Sequence, residues 1–156
     1  MNVKASMKKQ VITVLDTDDL GTAARQFVKH HVGMLPVINA EGKLVGVLQL
    51  RDLLNLVLPD FTRLMEDFDF VNSFGAANDI QPSKEQVAKK VSEVMEEAVC
   101  VQDDCGLNRA FALLHRHNLT DLPVVDAEYC LVGIASRVDV GTAMLKAWEI
   151  VSGDQA

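Results

Sequence analysis

The sequence predicts a mixed α/β fold, α+β in its local order: two β-α-β-β-α repeats packed about a pseudo-twofold axis, with a partly helical insertion between them. Three observations predict it. The chain matches itself at an offset of 87 residues. Each copy alternates short β-branched runs with segments of helical periodicity. A single copy has too little material to cover both faces of a three-stranded sheet, whereas two copies packed about a pseudo-twofold axis can, as one domain of two halves.

The offset carries the identities without a gap. Val14, Asp16, Leu20, Ala23 and His30 fall on Val101, Asp103, Leu107, Ala110 and His117. Leu35-Pro36-Val37 falls on Leu122-Pro123-Val124, Ala40-Glu41 on Ala127-Glu128, Leu44-Val45-Gly46 on Leu131-Val132-Gly133, and Asp52 on Asp139. Upstream, Met7 and Met95 correspond once one residue is inserted. The first repeat is assigned to residues 1–58, the connecting segment to 59–90 and the second repeat to 91–152.

Within a copy, Val11-Ile12-Thr13-Val14 is apolar and β-branched, as a strand requires. Asp18 or Asp19 then offers a carboxylate to the free N–H groups of a helix running to about His31. Leu20, Ala23, Ala24, Phe27 and Val28 recur at three and four residues, which gives that helix an apolar stripe. Leu107, Ala110, Phe111 and Leu114 repeat the pattern. Leu35-Pro36-Val37-Ile38 is a second strand, Asn39 to Lys43 a reversal with Asn and Gly where tight turns use them, and Leu44 to Leu48 a third strand. A helix from about Arg51 to Leu58 closes the copy.

Between the copies, Phe61, Leu64, Met65 and Phe68 are spaced for a short amphipathic helix with Asp60, Glu66 and Asp67 on its other face. This stretch reads as packing over the open end of the sheets or as a surface for a partner. Residues 72–81 read as loop. Pro82-Ser83-Lys84-Glu85 reads as a helix start, with Ser83 as cap and the helix continuing to about Met95.

Composition narrows the function. The chain has 156 residues and a net charge of -7, a field that repels phosphate backbones, and its lysine pairs are not interleaved with aromatics. Nucleic acid is not an expected partner. Without an apolar run of membrane-spanning length or a signal-peptide core, the expected location is cytoplasmic. Cys100, Cys105 and Cys130 are odd in number and lack metal-ligand spacing, so they read as reduced structural thiols. Asp16-Thr17-Asp18-Asp19 resembles the start of a calcium loop, but Leu20 and Phe27 stand where oxygen ligands are needed. No P-loop, nucleophile elbow or nucleophile-base set is present, so no enzyme is expected.

The candidate chemistry lies where each third strand runs into its helix. Gly133-Ile134-Ala135-Ser136-Arg137-Val138-Asp139 places a hydroxyl three residues before a carboxylate at a helix opening. Such a pair can hold a ribose diol and a phosphate. It can equally cap the helix and do nothing else. The first copy, Gly46-Val47-Leu48-Gln49-Leu50-Arg51-Asp52, keeps the carboxylate but has Gln in place of the hydroxyl.

Taken in order, the apolar strands after Met7 and Met95, the Leu-Pro-Val tripeptides and the Gly-x-x-Ser-x-x-Asp ending resemble a tandem pair of cystathionine-β-synthase-type (CBS) domains. The resemblance covers nearly the whole chain except the middle. It implies a homodimeric disc, clefts between the repeats for adenosine-containing regulatory ligands such as AMP, ADP, ATP or S-adenosylmethionine, and a regulated protein partner. It implies that Asp139 holds the ribose, Ser136 the ribose or phosphate and Arg137 the phosphate, with Val99, Cys100, Thr120, Asp121, Leu122 and Pro123 framing the base. For the first copy it implies Asp52, Arg51 and the altered Gln49, with Ile12, Thr13, Met34, Leu35 and Pro36 around the base. No cofactor or metal is implied. The alternative reading is an interaction or dimerisation module with unoccupied clefts.

Overall fold

The computed structural model describes residues 1–57 and 81–153. The helix expected around Phe61 to Phe68 and the loop expected over 72–80 lie outside the described residues, as does Leu58.

Two three-stranded sheets form, each with the order predicted for one copy. In the first half, β1 (Val14–Leu15) pairs in parallel with β2 (Met34–Ile38), which pairs antiparallel with β3 (Leu44–Gln49). The helices α1 (Leu20–His30) and α2 (Leu50–Val57) cover it. After the short helix α3 (Lys84–Ala88), the second half repeats the arrangement with β4 (Val101–Gln102), α4 (Leu107–Arg116), β5 (Asp121–Val125), β6 (Leu131–Ser136), α5 (Arg137–Lys146) and a final turn, α6 (Glu149–Ser152).

Local chemistry accounts for most boundaries. Asp19 caps α1 by accepting from Thr22 N–H at 2.7 Å. Asn39 holds the β2–β3 turn by accepting from the Glu41 and Lys43 N–H groups at 3.1 and 2.9 Å. Asp126 does the same for Glu128 and Cys130 in the second hairpin. The helices α1 and α4 are each followed by a residue in the left-handed region, His31 and Asn118, at equivalent positions. Leu35, Val37, Leu122 and Val124 are fully buried, each stabilising the fold by roughly 1.5–3 kcal/mol.

Two expectations need correction. The first strand is shorter than Val11 to Val14, because only Val14 and Leu15 find ladder partners. The helix capped by Ser83 does form, with a reciprocal box to Gln86, but it ends at Ala88 rather than near Met95. Lys89 is extended there. Its carbonyl accepts from Leu20 N–H at 2.9 Å, and Val91 N–H donates to Asp18 at 2.8 Å. Backbone bonds to the first half replace the next helical turn.

Those bonds belong to an exchange that the periodicity does not reveal. The segment before each repeat packs on the other repeat. Val3 lies in the second core with Val101, Leu107 and Leu122, whereas Val91 lies in the first core with Val14, Leu20 and Leu35. Val3 N–H donates to Cys105 and Lys4 N–H to Asp103; Val91 N–H donates to Asp18 and Ser92 N–H to Asp16. Lys8 bridges to Ile134 as Glu96 bridges to Val47. The two hairpins meet on the axis, with Leu44 N–H donating to Tyr129 and Leu131 N–H to Gly42, both at 3.1 Å. Each contact has its partner under the twofold.

Glycines permit this approach. A Cβ on Gly46 would lie 2.8 Å from Met95 Sδ and 2.9 Å from the Glu96 carbonyl oxygen, and one on Gly133 would lie 2.5 Å from Met7 Sδ. Gly46→Val is therefore expected to destabilise the fold by about 1–3 kcal/mol through overpacking. Gly33→Ala, where nothing lies within 4 Å of the added carbon, should stay within about 0.5 kcal/mol. Urea denaturation of the two variants checks the contrast.

Candidate functional site: a cleft on the twofold axis

The ends of the central strands converge on the axis. Met34 is the register partner of Gln49, and Asp121, its equivalent, is the partner of Ser136. Two adjoining cavities open there. One, about 190 Å³, is bounded by Met34, Val47, Gln49, Arg51, Glu96 and Asp121, among others. The other, about 110 Å³, takes in Gly33, Met34, Gln49, Asn118, Thr120 and Asp121. Gly33 and Thr120 are equivalent positions, as are Met34 and Asp121, so the cleft straddles the axis.

The arrangement brings together candidate residues that the sequence assigned to separate sites: Met34, Gln49 and Arg51 from the first half with Val99, Thr120 and Asp121 from the second. Cys100, next to Val99, lies elsewhere. Successive side chains of an extended segment point to opposite sides. Cys100 lines an outer groove of about 610 Å³ with Arg109 and Tyr129, and its sulfur lies 3.1 Å from the Tyr129 hydroxyl. Leu35, Pro36, Leu122 and Pro123 are buried, which leaves only their backbone for contact with a ligand. Ile12 packs against the first core, and Thr13 is half-buried beside it.

The two strand-to-helix junctions differ as the sequence suggested. Ser136 Oγ accepts from Asp139 N–H at 3.0 Å, and the Asp139 carboxylate accepts from Ser136 N–H at 3.1 Å. This reciprocal box caps α5. At the other junction Asp52 accepts from Gln49 N–H at 2.8 Å, and Gln49 replaces the hydroxyl that would complete the exchange. The two arginines are engaged. Arg137 Nη2 donates to the Leu119 carbonyl at 2.9 Å and more weakly to Leu114 at 3.4 Å. Arg51 meets Glu96 at 3.5 Å.

Sequence reasoning missed Glu96, Glu97, His117 and Leu119, all of which border the cleft. A signal was available: Glu96-Glu97 directly follows Met95 as Lys8-Lys9 follows Met7. Burial, chiefly, and the Glu96 charge push the Asp52 carboxyl above its ordinary value of 3.8, against the opposing Gln49 hydrogen bond and Arg51. Among the described residues no group of three or more His, Cys, Asp or Glu side chains could hold a metal ion, and no helix is long and apolar enough to cross a membrane.

Fold and cleft define a class: a two-half α/β module with exchanged arms and a shared central cleft. The family model described as the CBS domain matches residues 3–59 and 91–146, and the chain belongs to that family. An uncharacterized protein of Methanocaldococcus jannaschii, MJ1426, is 33% identical, with 93% of this chain and 92% of that protein covered. The structure of CBSX2 in complex with AMP is similar at a TM-score of 0.68 and 30% identity, over 93% of this chain and 96% of that one. The CBS domain pair of protein MJ0100, in complex with 5-methylthioadenosine and S-adenosyl-L-methionine, matches at a TM-score of 0.64 and 20% identity, over 95% and 98%.

Two predictions follow from the junctions. Gln49→Ser supplies the missing cap hydroxyl and should add about 0.5–1 kcal/mol of stability, whereas Ser136→Ala should remove about 1 kcal/mol; chemical denaturation reads both. Because Asp52 holds its proton more tightly when folded, the folded chain binds more protons than the unfolded one above the ordinary value. Its contribution to stability is present at low pH and is lost as pH rises through the raised value. Asp52→Asn should flatten the stability curve immediately above the ordinary carboxyl value of 3.8, as urea denaturation over a pH series would read.

Proposed function

We propose that this chain is a regulatory module that binds an adenosine-containing ligand in clefts between its two repeats and performs no catalysis of its own. The observation that carries this reading is the axial cleft, which collects Met34 and Gln49 from one repeat and Val99, Thr120 and Asp121 from the other. A ligand there touches both halves. Val99 and Met34 offer apolar faces to a base, and Asp121 offers a carboxylate to hydroxyl groups. The Ser136–Asp139 box adjoins Asp121 across the β5–β6 register and uses one Asp139 oxygen for Ser136 N–H; on this reading the second oxygen accepts from a ribose hydroxyl. CBSX2, a relative at 30% identity, was solved with AMP, and the MJ0100 pair with S-adenosyl-L-methionine.

Thermal-shift and calorimetric titration with AMP, ADP, ATP and S-adenosylmethionine test the reading. A ligand that binds only the folded state raises the melting temperature by mass action. Asp139→Ala should weaken adenine-nucleotide binding by about tenfold or more, and Asp52→Ala, at the junction lacking a hydroxyl, by much less. Equal losses would place the site symmetrically, and no shift with any of the four would remove the nucleotide reading.

Assembly into a homodimer is the second element of the proposal. Val28 and Leu54 on α1 and α2, and Val138 and Leu145 on α5, expose large apolar side chains on the helical faces away from the sheets. A second copy with the same pair of faces suits them. The double variant Leu54→Glu with Val138→Glu is expected to shift the chain from dimer to monomer in light scattering while the far-UV circular dichroism stays unchanged.

A further inference from the structure

The exchanged arms carry opposite charges to equivalent places. Glu96-Glu97 follows Met95, and Lys8-Lys9 follows Met7. Glu96 is fixed against the first half by two backbone bonds with Val47, Glu96 N–H to Val47 O at 2.8 Å and Val47 N–H to Glu96 O at 3.0 Å. Lys8 is fixed against the second half in the same way by Ile134, at 2.8 and 2.9 Å. Val47 lies two residues before Gln49 on β3, and Ile134 lies two residues before Ser136 on β6, so each arm pairs with the edge of the strand that ends at a candidate junction. On the Gln49 side, three carboxylates (Glu96, Glu97 and Asp121) face one guanidinium, Arg51, which is already paired with Glu96. On the Ser136 side, Val138 stands in the position of Arg51, and the arm supplies two lysines with exposed positions.

We propose that the two arms sort ligands by charge. The cleft bordered by Glu96 and Glu97 takes an adenosyl ligand without phosphate, a cationic sulfonium by preference. The Ser136–Asp139 side, toward which the Lys8–Ile134 pairing brings Lys8 and Lys9 at the places equivalent to Glu96 and Glu97, takes the phosphorylated nucleotide. This rests on the adenosyl-ligand reading above and assigns the ligand class of each side. The physics is direct. A phosphate entering the Glu96 side meets like charges in a partly desolvated cleft where Coulomb interactions are stronger than in water, and Arg51 would have to leave Glu96 to receive it. On the other side two lysines stand at the places of the two glutamates, so the balance of charge is less negative even with Asp121 and Asp139 there, and the α5 N-terminus adds positive potential.

The test is calorimetry of ATP and of S-adenosylmethionine on the full chain, with Lys8→Gln/Lys9→Gln and Glu96→Gln/Glu97→Gln as paired variants. The lysine pair should weaken ATP by about tenfold and leave S-adenosylmethionine within about twofold. The glutamate pair should weaken S-adenosylmethionine several-fold and leave ATP equal or tighter. ATP affinity of the parent chain should fall as salt rises, and that slope should shrink in the lysine variant. Losses shared equally by both ligands in either variant would overturn charge sorting while leaving adenosyl binding in place. Absence of binding of both ligands to the parent chain would instead overturn the adenosyl reading, and this inference with it. Near-unchanged far-UV circular dichroism and melting temperature in both variants, all four positions lying outside the buried core, separate a charge effect from a folding defect.

Discussion

Gly46 and Gly133 set how closely an arm can lie on a sheet, and much of the architecture depends on that contact. With no Cβ at either position, the thioethers of Met95 and Met7 settle over the strand, and the carbonyls of Glu96 and Lys8 reach the neighbouring strand residues. The arms then place Val91 and Val3 in the opposite cores. Neither repeat is complete without a segment that precedes the other in sequence. The two halves therefore stabilise one another through backbone bonds and buried side chains together, which is a stronger constraint than side-chain packing between finished domains.

A twofold frame of this kind makes departures from symmetry informative. The core positions obey it: Leu35 with Leu122, Val37 with Val124, Ala23 with Ala110. The departures collect at the axis and at the junctions. Met34 stands opposite Asp121, Gly33 opposite Thr120, Gln49 opposite Ser136 and Arg51 opposite Val138. At the hairpin tips Gly42 takes a positive φ at little steric cost, and its counterpart Tyr129 takes a positive φ with a full side chain, held by its carbonyl bond from Leu44 and by Cys100. Substitutions at these places leave the cores untouched, so the scaffold tolerates them while the surfaces they build diverge.

What the sequence made legible was local or periodic. The Asp19 and Ser83 caps, the Asn39 turn, the strand–helix order and the Leu-Pro-Val strands all depend on residues within a few positions of one another. The Ser136–Asp139 spacing fits both a ligand site and a cap, and the capping geometry is what the folded chain displays. The exchange of arms was not legible, because it joins Lys8 to Ile134 and Asp19 to Lys90, pairings that no periodicity encodes. The same gap hid Glu96 and Glu97 from the candidate site and extended the Ser83 helix too far. Helical propensity through Lys89 and Lys90 lost to backbone partners from the first half.

The exchange also bears on how occupancy of a cleft would be felt elsewhere. Glu96 is bonded to β3 of the first half, yet five residues later the same chain enters β4 of the second. A ligand that touches Glu96 and Asp121 together therefore spans a segment anchored at both ends in different cores. Such a segment cannot absorb a displacement by local bending, because Met95 is clamped at Gly46 on one side and Val101 is buried on the other. On the proposed reading the arms do two things at once. They supply the charge that selects the ligand, and they are the shortest covalent path by which its arrival in one half reaches the helices of the other.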